Sequence, residues 1–140
     1  MAQVPKALRY KVAEAARHRC GYCLTSQQVS GAQMHIEHII PLAHGGSSNE
    51  GNLWLACAWC NSYKGAQIHA VDPLTGEQVS LFNLRMQVWS DHFRWNDEGT
   101  EIIGLTPSGR ATIAALRLNN EFSVSARRQW VIAGWHPPKA

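Results

Sequence analysis

The sequence has no long apolar run and few cysteines. No stretch approaches the roughly 18 apolar residues that a membrane-spanning helix needs, so we expect no membrane segment. The first ten residues, MAQVPKALRY, lack the apolar core of a secretory signal peptide. We therefore expect the protein to stay in the cytoplasm, where disulfides are disfavoured. A heptad pattern is also lacking, which favours a monomer or a weak dimer over a coiled-coil assembly.

The composition describes an ordinary globular chain with a small basic excess. Its 140 residues suit one compact domain, and hydrophobic residues make up 45%, enough for a packed core. The formal net charge is +3 and the isoelectric point is about 8.8, which is compatible with a nucleic-acid partner. Basic residues concentrate in residues 1–23 and in the last third. These segments either follow DNA phosphates or are ordinary solvated helix faces.

All cysteines of the chain occur in two CxxC pairs, CGYC and CAWC. Two such turns supply four thiolates, the tetrahedral ligand set that structural zinc prefers. Two disulfides, or one redox-active CxxC, are the alternatives, but a redox pair would leave the other pair without a role. We therefore predict one structural Zn²⁺ with four ligands: Cys20, Cys23, Cys57 and Cys60.

The segment between the two CxxC pairs predicts a strand, a loop, a strand and a helix. Residues 34–40 contain three isoleucines and read as a strand. The stretch PLAHGGSSNEGN predicts an exposed loop, and LWLA predicts a second strand. The stretch CAWCNSYKG predicts the second cysteine turn and a short helix that ends at Gly65.

Helices and a hairpin are predicted on either side of this segment. Pro5 begins a helix that extends to about Arg19. FRW and EIIGL flank NDEGT as a hairpin. Thr106 and the proline after it begin another helix, and a last helix covers about 122–133.

The chain is expected to have two parts within one domain. Residues 1–70 would form the zinc-containing core with the N-terminal helix. Residues 71–140 would form an extension that packs on this core through aromatic side chains, namely Trp89, Phe93, Trp95 and Trp130.

The stretch EHIIPLAHGGSSNEGNLWLACAWCNSYKG, residues 37–65, resembles the HNH endonuclease motif. That pattern has an acidic residue followed by His, then Pro, a glycine-containing loop, NL and CxxCNxxK. The resemblance covers residues 20–65, and the tail resembles extensions of some bacterial HNH proteins. It implies an α+β fold with a small ββα-metal core (HNH or His-Me finger) stapled by the four-cysteine zinc site. An N-terminal helix and a C-terminal extension of a hairpin and helices complete this fold.

The resemblance also implies an endonuclease that hydrolyses phosphodiester bonds in DNA with a divalent metal ion. His38 would be the general base, because imidazole titrates near neutral pH. Glu37 and Asn61 would bind the catalytic Mg²⁺ or Mn²⁺ through oxygen atoms. Asn52 would lie on the facing strand and hold the ring of His38. Glu37 stands where many family members have Asp, which keeps the oxygen ligands and adds one methylene.

Two further residues have open roles at this stage. Lys64 either contacts a DNA phosphate or stabilises the C-terminus of its helix. His35 contacts a nucleic-acid phosphate, helps to bind the metal, or is a structural or exposed histidine. Because successive side chains of a strand point to opposite faces, Glu37 and His38 converge only if the backbone bends or they reach around different sides of a phosphate.

The sequence leaves a second class of function open. A catalytically silent zinc module that binds nucleic acid or protein would share the cysteines, but it has no need of Glu37, His38, Asn52 and Asn61 together. A solvent-facing ion pair between Glu37 and His38 would leave the spacing of the asparagines unexplained. For the endonuclease, double-stranded DNA is the expected partner and RNA stays open. A single catalytic site predicts that one strand is nicked at a time.

Overall fold

The computed structural model describes residues 4–139. Its N-terminal elements are the helices α1 (Lys6–Ala15) and α2 (Gln27–Ser30), the strands β1 (Met34–His38) and β2 (Leu53–Cys57), and the helix α3 (Ala58–Lys64). The loop between β1 and β2 contains two 3₁₀ turns, Leu42–His44 and Glu50–Asn52. The remaining elements are β3 (His69–Val71), β4 (Gln78–Ser80), α4 (Trp89–His92), β5 (Phe93–Trp95), β6 (Ile102–Gly104), α5 (Pro107–Leu116) and α6 (Glu121–Ile132).

The chain divides into two compact units. The first consists of Met1–Ile68 and Asn83–Gln87, and the second consists of His69–Phe82 and Val88–Ala140. Within residues 4–139, none of the helices combines the length and the apolar character that crossing a bilayer requires. The packing of the C-terminal extension on the core stays a prediction.

The centre of the first unit is an antiparallel hairpin followed by a helix. β1 and β2 pair without interruption from Met34↔Cys57 to His38↔Leu53, and α3 begins directly after β2. This arrangement, together with the clustered cysteines, confirms the predicted α+β fold with a small ββα core. β1 ends at His38, two residues before the predicted end. The reason is that the N–H and C=O of Ile40 bond to the side chain of Asn52, and so make no ladder contacts.

Helix α1 is shorter than the sequence predicts. It begins after Pro5 as expected but ends at Ala15, because Arg17 and His18 adopt left-handed backbone conformations with φ of 55° and 56°. Such φ values do not continue a right-handed helix. On the inner side of the helix, Val12 is fully buried, so α1 packs on the hairpin through its apolar face.

A segment from the C-terminal part of the sequence completes the first unit. Arg85 donates from Nε to the carbonyl oxygen of Leu53 at 2.9 Å, and its guanidinium lies 5.0 Å from the ring centre of Trp54. The Trp54 ring also closes over Gly21, where an added Cβ would lie 2.4 Å from Trp54 Cδ1. The glycine of CGYC is therefore required by this close approach.

The second unit follows the sequence prediction in its hairpin and helices. β5 and β6 pair as predicted, and the Thr106 side chain accepts a hydrogen bond of 3.0 Å from the N–H of Gly109 at the start of α5. Phe93 is buried, and the Trp89 ring lies 5.1 Å from it. These aromatic residues therefore belong to an aromatic cluster of this unit.

The β3–β4 hairpin was not predicted, and its turn is the stretch DPLTGE between Val71 and Gln78. Asp72 of this turn receives two hydrogen bonds from Arg110, at 3.0 Å and 2.9 Å. These bonds lower the pKa of Asp72 to about 2. This ion pair connects the hairpin to α5 and stabilises the second unit.

Candidate functional site

The four cysteines form one buried cluster. Cys20 and Cys23 lie in the turn after α1, Cys57 ends β2, and Cys60 lies in the first turn of α3. All of their sulfur atoms lie within 4.8 Å of one another, and none of the four forms a disulfide in this structure.

The geometry of this cluster fits Zn²⁺. Four sulfurs about 2.3 Å from a tetrahedral Zn²⁺ are roughly 3.8 Å apart, and Cys23 Sγ lies 3.8 Å from Cys57 Sγ. Burial raises the pKa of the Cys20 thiol, so a bound cation is needed for it to ionise at neutral pH. The cluster connects the turn after α1 to the β2–α3 junction and so fixes one end of the β1–β2 hairpin.

Glu37 and His38 point to opposite faces of β1. Both residues belong to the regular pairing with β2, opposite Trp54 and Leu53, so no bulge turns the two side chains to one side. Glu37 is buried and His38 is partly exposed. The backbone bend considered from the sequence is therefore not present between these two residues. Their side chains can reach a phosphate only from different sides, at the end of the strand.

Lys64 is buried against Glu37 and does not reach the surface. Its ammonium donates to Glu37 Oε1 at 3.2 Å, to the carbonyl of His38 at 3.1 Å and to that of Ile39 at 3.3 Å. Only 2% of its side chain is exposed and its donors are used within the fold, so the structure gives no support to the phosphate contact, which stays a prediction. The ammonium instead connects α3 to the end of β1.

Asn52 organises the loop rather than the ring of His38. Its Oδ1 accepts from the N–H of Ile40 at 2.8 Å, and its Nδ2 donates to the carbonyls of Ile40 and Ser47 at 2.9 Å and 2.8 Å. The prediction that Asn52 holds the imidazole directly is therefore wrong. Its amide closes the loop between β1 and β2. Asn52 itself lies in the 3₁₀ turn before β2 rather than on the strand.

Ser48 is the residue that contacts the ring of His38. The Nε2 atom of His38 lies 3.0 Å from the hydroxyl oxygen of Ser48. The sequence does not predict this contact, because a serine in a Gly- and Ser-rich loop carries no specific signal. Asn52 bonds to the carbonyl of Ser47, the residue that precedes Ser48 in the same loop.

Two predicted residues, Asn61 and His35, are placed near this site without a defined contact. Asn61 follows Cys60 on α3 and is half-buried, and its side-chain amide makes no hydrogen bond to residues 4–139. His35 is half-buried on the same face of β1 as Glu37. The roles of both residues stay predictions.

One observation bears on a second, catalytic metal ion. The Oε2 atom of Glu37 is buried and has no hydrogen-bond partner within residues 4–139, although Oε1 is paired with Lys64. Burial raises the pKa of this carboxyl, and the nearby Lys64 charge offsets part of the rise. An unsatisfied carboxylate oxygen is costly to bury, and a hard divalent cation is a suitable partner for it. This unpartnered oxygen supports Glu37 as a ligand of such an ion, and the pairing of Glu37 with Asn61 at that ion stays a prediction.

The comparison with protein families agrees with this geometry. Residues 20–67 match the HNH endonuclease family model. The matched HNH segment starts at the first cysteine of the cluster and extends past α3, so it contains the whole ββα core. An HNH segment indicates a nuclease-type function on nucleic acid. Searches of curated proteins and of solved structures gave no match.

Proposed function

We propose that this protein is a metal-dependent endonuclease that hydrolyses phosphodiester bonds of double-stranded DNA, with His38 as the general base. The observation that carries the proposal is a partly exposed His38 at the end of β1, inside the segment that matches the HNH family. The structural Zn²⁺ supports the fold of this segment and takes no part in the reaction.

His38 has the properties of a general base at neutral pH. Burial lowers its pKa, and the charge of Lys64 lowers it further, so the imidazole is neutral and can accept a proton. If Nε2–H donates to Ser48, the lone pair lies on Nδ1, which has no hydrogen bond to residues 4–139. We therefore assign proton abstraction from water to Nδ1, with Ser48 fixing the tautomer.

Glu37 and Asn61 are proposed to hold the catalytic Mg²⁺ or Mn²⁺. When bound, such an ion neutralises the charge that develops on the phosphate and stabilises the leaving oxygen. Glu37 supplies a carboxylate oxygen and Asn61 a neutral amide oxygen. This pair leaves other coordination positions for water and phosphate, as Mg²⁺ prefers.

The proposal is tested by incubating purified protein with supercoiled plasmid, with and without Mg²⁺ or Mn²⁺. We expect metal-dependent cleavage, and we expect His38→Ala to lower the rate roughly 10²- to 10⁴-fold. His69→Ala is the matched control, because His69 is an exposed histidine of β3 outside the HNH segment. Zinc content and circular dichroism of each variant establish that the fold is intact.

The outcomes separate the classes of function. Cleavage by His38→Ala at the wild-type rate would refute the assignment of the base. DNA binding without cleavage under any metal condition would favour the silent zinc module. Cleavage of RNA but not of DNA would place the substrate in the other nucleic-acid class.

The same assay tests strand-by-strand cleavage. One chain carries one candidate base, so it positions one scissile phosphate at a time. Because the strands of a duplex run in opposite directions, a single site cannot cleave both without rebinding. We expect open-circular plasmid to appear before linear plasmid. Linear product from the first time point at low protein concentration would indicate a symmetric dimer instead.

A further inference from the structure

Helix α1 has a second face that is not used for packing. Lys6, Arg9, Tyr10 and Ala13 recur at the spacing of one helical face, and they line one side of an open groove of about 570 Å³ in the first unit. This volume lies within the range of roughly 300–1,000 Å³ that is typical of ligand pockets. We call this the α1 groove, and its other side is formed by the β1–β2 hairpin through Ile36 and Leu55.

The lining of the α1 groove combines cations, an aromatic ring and an apolar floor. Lys6 and Arg9 lie on the rim, and the Lys6 ammonium is 5.9 Å from the ring centre of Tyr10. The floor consists of Ile36 and Leu55, which are paired across the hairpin. None of the residues that line the groove is acidic. The charge therefore favours an anionic ligand, and the floor favours one with flat apolar surfaces.

Nucleotides have both properties. Their phosphates pair with Lys and Arg, and their bases stack on aromatic and apolar side chains. In a duplex the base faces are covered by neighbouring base pairs, so only unpaired nucleotides can use the ring of Tyr10 and the floor. The amides of Gln27 and Gln33 also line the groove, and they can donate to and accept from base edges.

The α1 groove leads to the candidate catalytic residue. Ile36 and His38 are two residues apart on a regular strand, so they share one face of β1. Their separation along the strand is roughly 7 Å. Glu37 and Lys64 lie on the opposite side. A DNA strand whose phosphate lies at His38 can therefore continue along the same face into the groove.

We propose that the α1 groove binds unpaired nucleotides of the DNA strand next to the phosphate at His38. Lys6 and Arg9 contact the phosphates, and Tyr10 with the floor contacts the bases. The location of this subsite beside the cleaved bond rests on the proposed nuclease function, whereas the binding itself does not depend on cleavage. The protein consequently binds a duplex with an unpaired overhang more tightly than a blunt duplex of the same length.

The binding test uses the zinc-containing protein in buffer without Mg²⁺ or Mn²⁺. Fluorescence anisotropy measures the affinity for a labelled single strand, a blunt duplex and a duplex with an overhang. Tyr10→Ala is expected to weaken binding to the single strand and to the duplex with an overhang by about fivefold or more. Its affinity for the blunt duplex should stay within about twofold of wild type. Arg9→Ala is expected to weaken binding of all three and to reduce the salt slope by about one.

Lys11→Ala is the matched control for charge. Lys11 lies on the same helix, its side chain is 67% exposed, and it pairs with Glu50 at 3.1 Å outside the groove. Loss of this charge should change the affinity by less than about twofold if the location of the charge matters. Equal losses for Lys11→Ala and Arg9→Ala would overturn the proposal, because they would show a diffuse basic surface.

Crosslinking locates the bound strand directly. An oligonucleotide with 4-thiothymidine in its unpaired part should crosslink to the peptides that contain Tyr10 and Met34, both of which line the groove. Crosslinks confined to other peptides would overturn the proposal, as would unchanged affinity of Tyr10→Ala for all three DNAs. These readouts are independent of cleavage. Binding in the α1 groove with no plasmid cleavage would refute only the nuclease function. Plasmid cleavage without such binding would refute only the proposal that the groove binds unpaired nucleotides.

Discussion

Replacement of Lys64 by Met tests the buried pair at the centre of the candidate site. The Lys64 ammonium and the Glu37 carboxylate are 3.2 Å apart, and their side chains are only 2% and 5% exposed. Methionine has a similar length, so Lys64→Met removes the charge without opening a large cavity. The variant leaves the Glu37 carboxylate buried and unpaired, and it removes the donor to the carbonyls of His38 and Ile39.

The expected loss in the free energy of unfolding is about 3–5 kcal/mol, the range for removing one partner of a buried ion pair. The measurement is urea unfolding of the zinc-containing protein at pH 8, in buffer without Mg²⁺. Lys11→Met is the control, because the pair of Lys11 and Glu50 is exposed and is worth about 0–1 kcal/mol.

The pH dependence follows from the same carboxylate. In Lys64→Met the pKa of Glu37 in the folded state rises further, because burial already raises it and the offsetting charge of Lys64 is gone. When the pKa of a group is higher in the folded state than in the unfolded state, its contribution to stability is complete below the unfolded pKa. This contribution is lost as the pH rises through the folded pKa. The difference in the free energy of unfolding between Lys64→Met and wild type should therefore be smaller at pH 5 than at pH 8. Adding Glu37→Gln to Lys64→Met should restore part of the lost stability. If Lys64→Met lost no more stability than Lys11→Met and bound DNA less tightly, Lys64 would be a phosphate contact after all.

Three further predictions concern the zinc cluster, the loop and the second unit. Cys57→Ser should give partly unfolded or aggregated protein without zinc, because a structural zinc site contributes on the order of 10 kcal/mol of apparent binding energy to folding; well-folded, zinc-free wild-type protein in elemental analysis would contradict this. Asn52→Ala should lower the plasmid-cleavage rate less than His38→Ala and should raise hydrogen exchange of the Ile40 amide, which bonds to Asn52; unchanged exchange would contradict the loop role. In the second unit, the hydrogen bonds from Arg110 lower the pKa of Asp72 to about 2, so the pair stabilises the fold above the unfolded pKa of about 3.9 and this stability is lost as the pH falls towards 2. Asp72→Asn should therefore lower the melting temperature at pH 7. Its melting temperature should also fall less on acidification than that of wild type, and equal decreases would contradict the pairing.

The sequence by itself determined the features that depend on short-range spacing. Each CxxC turn brings its two sulfurs together locally, and two turns leave few arrangements other than a shared zinc site. The β-branched run, the Gly- and Ser-rich loop and the LWLA stretch predicted the hairpin, because strand and turn propensities act over a few residues. The ends of the elements were less predictable, since α1 stops where Arg17 and His18 adopt left-handed conformations.

The tertiary structure decided which atoms meet. Lys64 lies 27 residues from Glu37, and the two side chains meet because α3 packs on β1, which no local pattern encodes. The Asn52 amide bonds to the backbone N–H and C=O of Ile40, which must find partners when the loop folds. The contact to the ring of His38 comes from Ser48 instead. The α1 groove likewise exists only because the face of α1 with Lys6, Arg9 and Tyr10 meets Ile36 and Leu55. Propensity and spacing fix the elements, but the contacts between distant elements come from packing, which balances burial against the hydrogen bonds that each buried polar group must keep.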